Sequence, residues 1–261
     1  PYFLDFRVNK KYGFYLDPKG HHDQPQLAAW PLGIVKALDV ELGPTGSSFA
    51  VRDTHFTLAM PGAFNIENAL AAIAIGLSQG IALPAMAKAL AKISGVPGRL
   101  ERIDEGQDFT VIIDYAPEPV SFRKLYEVVK LLPKKRTIHV LGSAGGGRDV
   151  ARRPILGQLA AERADIVIVT NEDPYDDDPM AIIKDVARGA SDHGKIEGKD
   201  LFLILDRAEA IEKAVGLAQE GDLVLITGKG AEQAMVVAGG RKIPWDDRQK
   251  VRRALKKSAS V

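Results

Sequence analysis

From residue 97 onward, short apolar runs alternate with amphipathic stretches of helix length. The runs cover 109–113, 137–141, 165–169, 201–205 and 222–226. Val, Ile and Leu dominate them without polar alternation, the pattern of strands buried on both faces. The stretches at 121–132, 155–164, 181–190 and 208–219 carry apolar residues at helical spacing. Such a βαβ series predicts an α/β fold, a mostly parallel sheet with helices on both faces.

The first 95 residues read differently. Tyr12 to Leu16 reads as a strand, and Asp17-Pro18-Lys19-Gly20 has turn chemistry. Residues 48–52 and 54–58 alternate around Asp53 and predict a hairpin, whereas 20–32 show no period and read as loop. Asn65 suits the N-cap of a helix that carries Ile66, Leu70, Ile73 and Leu77 on one face and ends at Gly80. Pro84 suits the first turn of a second helix over 85–92. Ser94-Gly95-Val96-Pro97-Gly98 then marks a boundary between a domain over 1–95 and another over 96–261.

Composition narrows the function classes. A length of 261 residues fits two domains at roughly 150 residues each. Hydrophobic residues at 46% and charged residues at 26% are globular values. With 35 Lys+Arg against 34 Asp+Glu, the net charge of +1 leaves no chain-wide footprint for nucleic acid or an anionic membrane, and neither is expected as a partner. No apolar run reaches the ~18 residues of a membrane span. The absence of cysteine excludes disulfides and thiolate metal sites and accords with an expected cytoplasmic location. A start at Pro1 is expected of a processed product or an excised piece.

Ligands of open parallel sheets bind outside the carboxyl ends of the strands. The unusual segments follow the predicted strands on that edge: Asp114-Tyr115-Ala116, the glycines 145–147 with Arg148, the acidic loop 172–178, and Gly228-Lys229-Gly230-Ala231-Glu232. The glycines suit either an anion at a helix start or a tight turn. The acidic loop suits a metal, an ammonium group or plain solvation. Arg148, Arg152 and Arg153 could grip carboxylate or phosphate. Neither a dinucleotide fingerprint nor a Walker A motif is complete: Val150 breaks the G-x-G-x-x-G spacing after Gly145 and Gly147, and Gly rather than Ser or Thr follows Lys229. The five histidines show no ligand spacing.

Taken in order, these segments resemble the Mur ligase family. The resemblance rests on Phe64-Asn65-Ile66-Glu67-Asn68-Ala69, Gly98-Arg99-Leu100-Glu101, Asp114-Tyr115-Ala116, Gly145-Gly146-Gly147-Arg148-Asp149 with Arg152-Arg153-Pro154, the Asp-Pro loop, Gly228-Lys229-Gly230-Ala231-Glu232 and Trp245-Asp246-Asp247-Arg248. It covers residues 60–255, and the UDP-N-acetylmuramoyl-tripeptide synthetases fit best within the family. The resemblance implies that 1–95 is the incomplete end of a central ATP-binding α/β domain and that 96–261 is the Rossmann-like C-terminal domain.

The implied reaction is ATP-dependent amide formation. A substrate carboxylate is activated as an acyl phosphate with magnesium present, and an amino acid's amine attacks it. The implied substrates are a UDP-N-acetylmuramoyl dipeptide, ATP and the third amino acid. Asn65, Asn68, Arg99 and Asp114 fall at nucleotide positions, with Asn68 the stronger of the two amides because Asn65 has a competing role as cap. Arg148, Glu172, Asp173, Tyr175, Gly228 and Glu232 fall on the amino-acid pocket, Arg148 toward a carboxylate and Glu232 toward an ammonium. No catalytic residue and no metal ligand is implied within these residues, and the 261 residues alone are expected to be inactive, since the family's phosphate loop is not among them. The chain departs from the family pattern at Pro117 and Ala231, where His is usual, and at Glu172-Asp173-Pro174-Tyr175, where Asp-Asn-Pro-Arg is usual. A folylpolyglutamate or cyanophycin type of ligase, or a non-catalytic binding domain derived from a ligase, are the alternatives.

Overall fold

The computed structural model describes residues 11–16 and 32–258. They form two compact units, one ending at Ser94 and the other beginning at Gly95. In the first, β1 (Lys11–Leu16), β2 (Leu32–Leu42), β3 (Ser47–Val51) and β4 (Thr54–Leu58) make one sheet in that order. β1 lies parallel to β2, and the other pairs are antiparallel. The expected hairpin is β3–β4, and Phe49 stacks on Phe56 at 5.2 Å within it. β2 is not foreseen in the sequence. Its buried Val35 and Ala37 sit between exposed or half-buried neighbours, and a bulge between Leu38 and Glu41, with Asp39 at φ 50°, breaks its register. The turn expected at 17–20 and most of the loop expected at 20–32 lie outside the described residues.

Two helices, α1 (Ala63–Ser78) and α2 (Leu83–Leu90), follow. Ile66, Leu70 and Ile73 of α1 are buried in the unit's core, as the spacing predicts. The expected cap is corrected: Gly62, at φ 98°, is the N-cap, and Asn65 lies inside the first turn. Its side-chain Nδ2 donates back to Pro61 O at 2.8 Å.

The second unit is the expected βαβ series. Its strands are β5 (Glu101–Ile103), β6 (Thr110–Asp114), β7 (Thr137–Leu141), β8 (Ile166–Thr170), β9 (Leu201–Ile204) and β10 (Leu223–Thr227). They are ordered β5-β6-β10-β7-β8-β9, and only β5 runs antiparallel. Helices α3 (Pro119–Leu131), α4 (Arg152–Ala161) and α5 (Pro179–Ser191) pack on one face, where Ile112, Leu141, Val167, Val169 and Leu225 point. Helices α6 (Arg207–Leu217) and α7 (Asp247–Ser258) cover the other, against Val111, Ile113, Val140, Ile168 and Ile226. Each central strand therefore buries alternate residues on opposite faces, which is why its sequence shows no polar position.

The chain passes from β6 to β7, builds outward to β9, then returns through α6 to place β10 between β6 and β7. That reversal is where the crevice of an open parallel sheet lies. A short hairpin, β11 (Ala234–Val237) and β12 (Arg241–Pro244), follows β10. α4 and α5 meet at Gly157 and Gly189. A Cβ on Gly157 would overlap Val186 O, and one on Gly189 would overlap Pro154 O, so the two backbones touch there.

Candidate functional site

Four loops leave the carboxyl ends of β6, β7, β8 and β10, and backbone contacts bind them to one another. Asp114 ends β6. Its Oδ1 accepts from Ala116 N and its Oδ2 from Leu100 N, both at 2.8 Å. Burial raises its pKa, and these two bonds and Arg99 pull it back down. Gly228 N donates to Asp114 O at 3.2 Å. Gly98 leaves no room for a Cβ against Gly230 and Ala231, so the Gly98-Arg99 turn lies directly on the loop after β10. The Arg99 guanidinium stands 4.3 Å over the Tyr115 ring.

The glycine loop after β7 packs on the acidic loop after β8. Gly145 N donates to Asp173 O at 2.8 Å. A Cβ on Gly145 would overlap Pro174 O, and one on Gly146 would stand 2.6 Å from the Tyr175 ring. The glycines permit these close approaches, and Gly146 at φ 62° and Gly147 at φ 77° make the tight turn. Tyr175 lies at φ 52° and donates its N–H to Val236 O of β11 at 3.2 Å.

Nearly every charge in these two loops has a partner. Arg152 bonds Glu118 and Ser143 Oγ. Arg153 pairs with Asp177 at 3.0 Å and Asp185 at 3.2 Å. Asp176 accepts from Gly239 N at 2.7 Å, and Asp178 caps α5 through Met180 N at 2.9 Å. Asp173 accepts from Lys229 at 2.9 and 2.8 Å and from Val236 N at 2.7 Å. Lys229 also pairs with Glu232 at 2.7 Å.

Two side chains remain, Arg148 and Glu172. Among the described residues neither makes a side-chain hydrogen bond or ion pair. Arg148 is exposed on the glycine loop, four residues before α4. Glu172 is 5% exposed, and its carboxylate faces Gly142 and Gly228, the latter at φ 109°. A Cβ on Gly228 would overlap Glu172 Oε2. Burial pushes Glu172 up to about 7, with Asp173 adding to the rise and Arg207, Lys229 and Arg152 opposing it. A buried acid with a strongly raised pKa in a crevice is a candidate functional group.

Beneath the loops, Arg207 donates to Asp247 at 2.8 and 2.7 Å, to Thr227 O at 2.8 Å and to Asn171 O at 3.3 Å. Trp245 Nε1 donates to Asp247 as well, at 2.8 Å. One buried guanidinium therefore ties the ends of β8 and β10 to the start of α7. On the α3 face, His139 shares hydrogen bonds with Tyr126 at 2.7 Å and Thr227 Oγ1 at 3.0 Å, and burial pulls its pKa down to about 3.

Arg148, Glu172, Asp173, Tyr175, Gly228 and Glu232 thus all stand on this edge, as do Arg99 and Asp114. Two differ from expectation in their surroundings. Glu232 is already paired with a lysine, and the Tyr175 ring packs on Gly146. Asn65 and Asn68 belong to α1 of the first unit, where Asn68 is exposed. Arg207, Asp247 and the pairing of Lys229 were not foreseen. A lysine between two glycines just past a buried strand is a signal for the last of these. Arg207 carried one too, an arginine at a helix start, where the macrodipole disfavours a cation.

Residues 98–230 match the family described as Mur ligase, glutamate ligase domain. The chain is 43% identical over 225 residues to the UDP-N-acetylmuramyl-tripeptide synthetase of Roseiflexus sp. (strain RS-1), a match covering 85% of the chain and 44% of that protein. It is 41% identical over 227 residues to the UDP-N-acetylmuramoyl-L-alanyl-D-glutamate--2,6-diaminopimelate ligase of Geobacillus thermodenitrificans (strain NG80-2), covering 85% of the chain and 45% of that protein. A solved structure of a UDP-N-acetylmuramoyl-L-alanyl-D-glutamate--2,6-diaminopimelate ligase is similar with a TM-score of 0.59 and 27% identity, over 95% of the chain and 54% of that structure. The chain spans about half the length of the relatives it matches, or less.

Proposed function

The chain belongs to the Mur ligase family, and on that premise we infer that it is part of an ATP-dependent ligase that joins the third amino acid to a UDP-N-acetylmuramoyl dipeptide. The observation that carries the reading is the pair of uncommitted charges. A guanidinium suits the carboxylate of an incoming amino acid, and a buried carboxylate suits an ammonium. Arg148 and Glu172 offer one of each, on loops whose other charges hold the wall together.

ATP, with magnesium, supplies the phosphoryl group that activates the substrate carboxylate. Arg99 fits a nucleotide, since its guanidinium is stacked on Tyr115 and keeps its N–H edge for an anion. Asp114 fits less directly, because each of its oxygens already accepts one backbone N–H. Each keeps a lone pair for a ribose hydroxyl. Asn65 and Asn68 are retained as contacts to the base, Asn68 first, because the Asn65 amide already donates to Pro61. Among the described residues no group of three or more His, Asp or Glu is placed to hold a metal. The domain over 96–261 supplies the amino-acid site. The 261 residues alone hold no complete phosphate loop and are proposed to be inactive.

The amino acid is proposed to lack a distal carboxylate, with lysine and ornithine first. Tyr175 stands where a bidentate arginine is usual, and a phenol cannot neutralise a carboxylate. Arg152 and Arg153 are held by Glu118, Asp177 and Asp185 and bring no second cation into the pocket. The test is ADP release by the complete protein with a UDP-N-acetylmuramoyl dipeptide and a panel of amino acids. Turnover that requires one amino acid is expected. No turnover with any of them, or turnover only with a folate and glutamate, would overturn the reading. A clear preference for diaminopimelate over lysine would overturn the selectivity alone.

A further inference from the structure

We propose that a cleft on the far edge of the second unit, between the C-terminal ends of α3 and α4, binds a phosphate group, free or as a monoester. Both helices start beside the functional loops, after the carboxyl ends of β6 and β7, and run back to the amino ends of β7 and β8. The cleft therefore lies on the edge opposite the amino-acid site. Its volume of about 350 Å³ is that of a small-molecule site. Tyr126, Val129 and Lys130 line it from α3, Lys134 from just beyond α3, and Glu162 and Arg163 from just past α4. Tyr126 and Val129 are buried and close its floor, so the charged rim decides what it holds.

Most charges on the rim serve the fold. Lys134 Nζ donates to Val129 O at 2.6 Å and to Leu132 O at 3.4 Å, which closes the end of α3 and leaves one donor. Lys130 pairs with Glu127 at 3.1 Å, and Glu162 accepts from Gln158 at 2.8 Å. Arg163 is different. Among the described residues its guanidinium makes no hydrogen bond, its Nε is buried without a partner, and its ion pair with Glu127 is stretched to 3.9 Å. It stands 5.9 Å over the Tyr126 ring, whose hydroxyl is taken by His139. A buried donor without an acceptor calls for a partner from outside the chain. The planar fork of a guanidinium matches the oxygens of a phosphate. Lys130, Lys134 and Arg163 also outnumber Glu127 and Glu162, so the cleft favours an anion.

The test is heteronuclear NMR of the 261-residue chain titrated with inorganic phosphate and with AMP, against sodium chloride at matched ionic strength. The Arg163 Nε–H signal is expected to shift and saturate, together with the amides of Lys130 and Lys134. Saturation by inorganic phosphate would assign the site to the free anion, and saturation by AMP alone to a monoester. Arg163→Met is expected to weaken binding at the cleft by about tenfold, the size of one charged hydrogen bond. Lys130→Met, at an exposed position that does not put folding at risk, is expected to weaken it by about threefold. Shifts confined to the loops around Arg99 and Arg148, or equally produced by chloride, would overturn the proposal. So would cleft shifts that saturate at the same concentration in a folded Arg163→Met chain, or in Lys130→Met where Arg163→Met does not fold.

Discussion

The loop after β7 and the loop after β8 are opposite in charge and alike in organisation. The first carries Arg148, with Arg152 and Arg153 at the helix start beyond it. The second carries Glu172, Asp173, Asp176, Asp177 and Asp178. In each, every charge but one is committed to the fold: two arginines to acids on neighbouring segments, four acids to a lysine, an arginine and backbone N–H groups. They differ in where the remaining charge is kept. Arg148 stands in water on glycines, whereas Glu172 is buried with its carboxylate raised to about 7. A density of like charge therefore says little about ligand binding here. What matters is which member has no partner, and whether water already satisfies it.

The comparison is easiest to break at a committed charge. Arg207→Ala would strand Asp247 in the interior, and a loss of about 3–5 kcal/mol is expected in urea unfolding. A loss under about 1 kcal/mol would mean that the wall does not depend on its ion pairs. Glu172→Gln should act in the opposite direction. The unfolded carboxyl releases its proton near 4.5 and the folded one near 7, so between those values the folded state holds the extra proton and stability falls as pH rises. The variant should lack this slope. Above pH 7 it should be more stable than the parent chain by up to about 3 kcal/mol, a difference that vanishes below the unfolded value. A flat difference across pH would show that Glu172 is hydrated.

Gly145→Ala places a methyl against the Pro174 carbonyl and should cost about 1–3 kcal/mol by thermal melting, less than the ion pair. The smallest change is expected at Arg148→Ala, within about 0.5 kcal/mol of the parent chain in the same melt. It should nonetheless weaken capture of an amino acid's carboxylate in the complete protein. A large loss of stability there would mean that Arg148 is a committed charge after all.

The parallel sheet was legible because its strands are buried on both faces, and 110–114, 137–141, 166–170, 201–204 and 223–227 each fall within a residue of the apolar run that announces them. β2 was not, since half of its residues face outward and its bulge interrupts any period. The hairpin β11–β12 was hidden because Arg241, Lys242 and Pro244 leave its second strand without an apolar run. The loops of the site were legible by position, each lying just after a strand. Their internal pairing was not: Lys229 finds Asp173 across 56 residues and Arg207 finds Asp247 across 40, and no local pattern encodes such distances. Asn65 was misplaced as a cap because a glycine three residues earlier supplies the conformation that starts the helix.

The close approach of α4 and α5, Gly157 on Val186 O and Gly189 on Pro154 O, has a mechanical consequence. α4 carries the base of one loop and α5 the base of the other, and at these two points backbone meets backbone with no side chain between. The two helices form the rigid frame of a caliper whose jaws are the loops. Its opening is gauged by peptide backbone, which yields far less than packed side chains do. A molecule held by both jaws would have to match that gap.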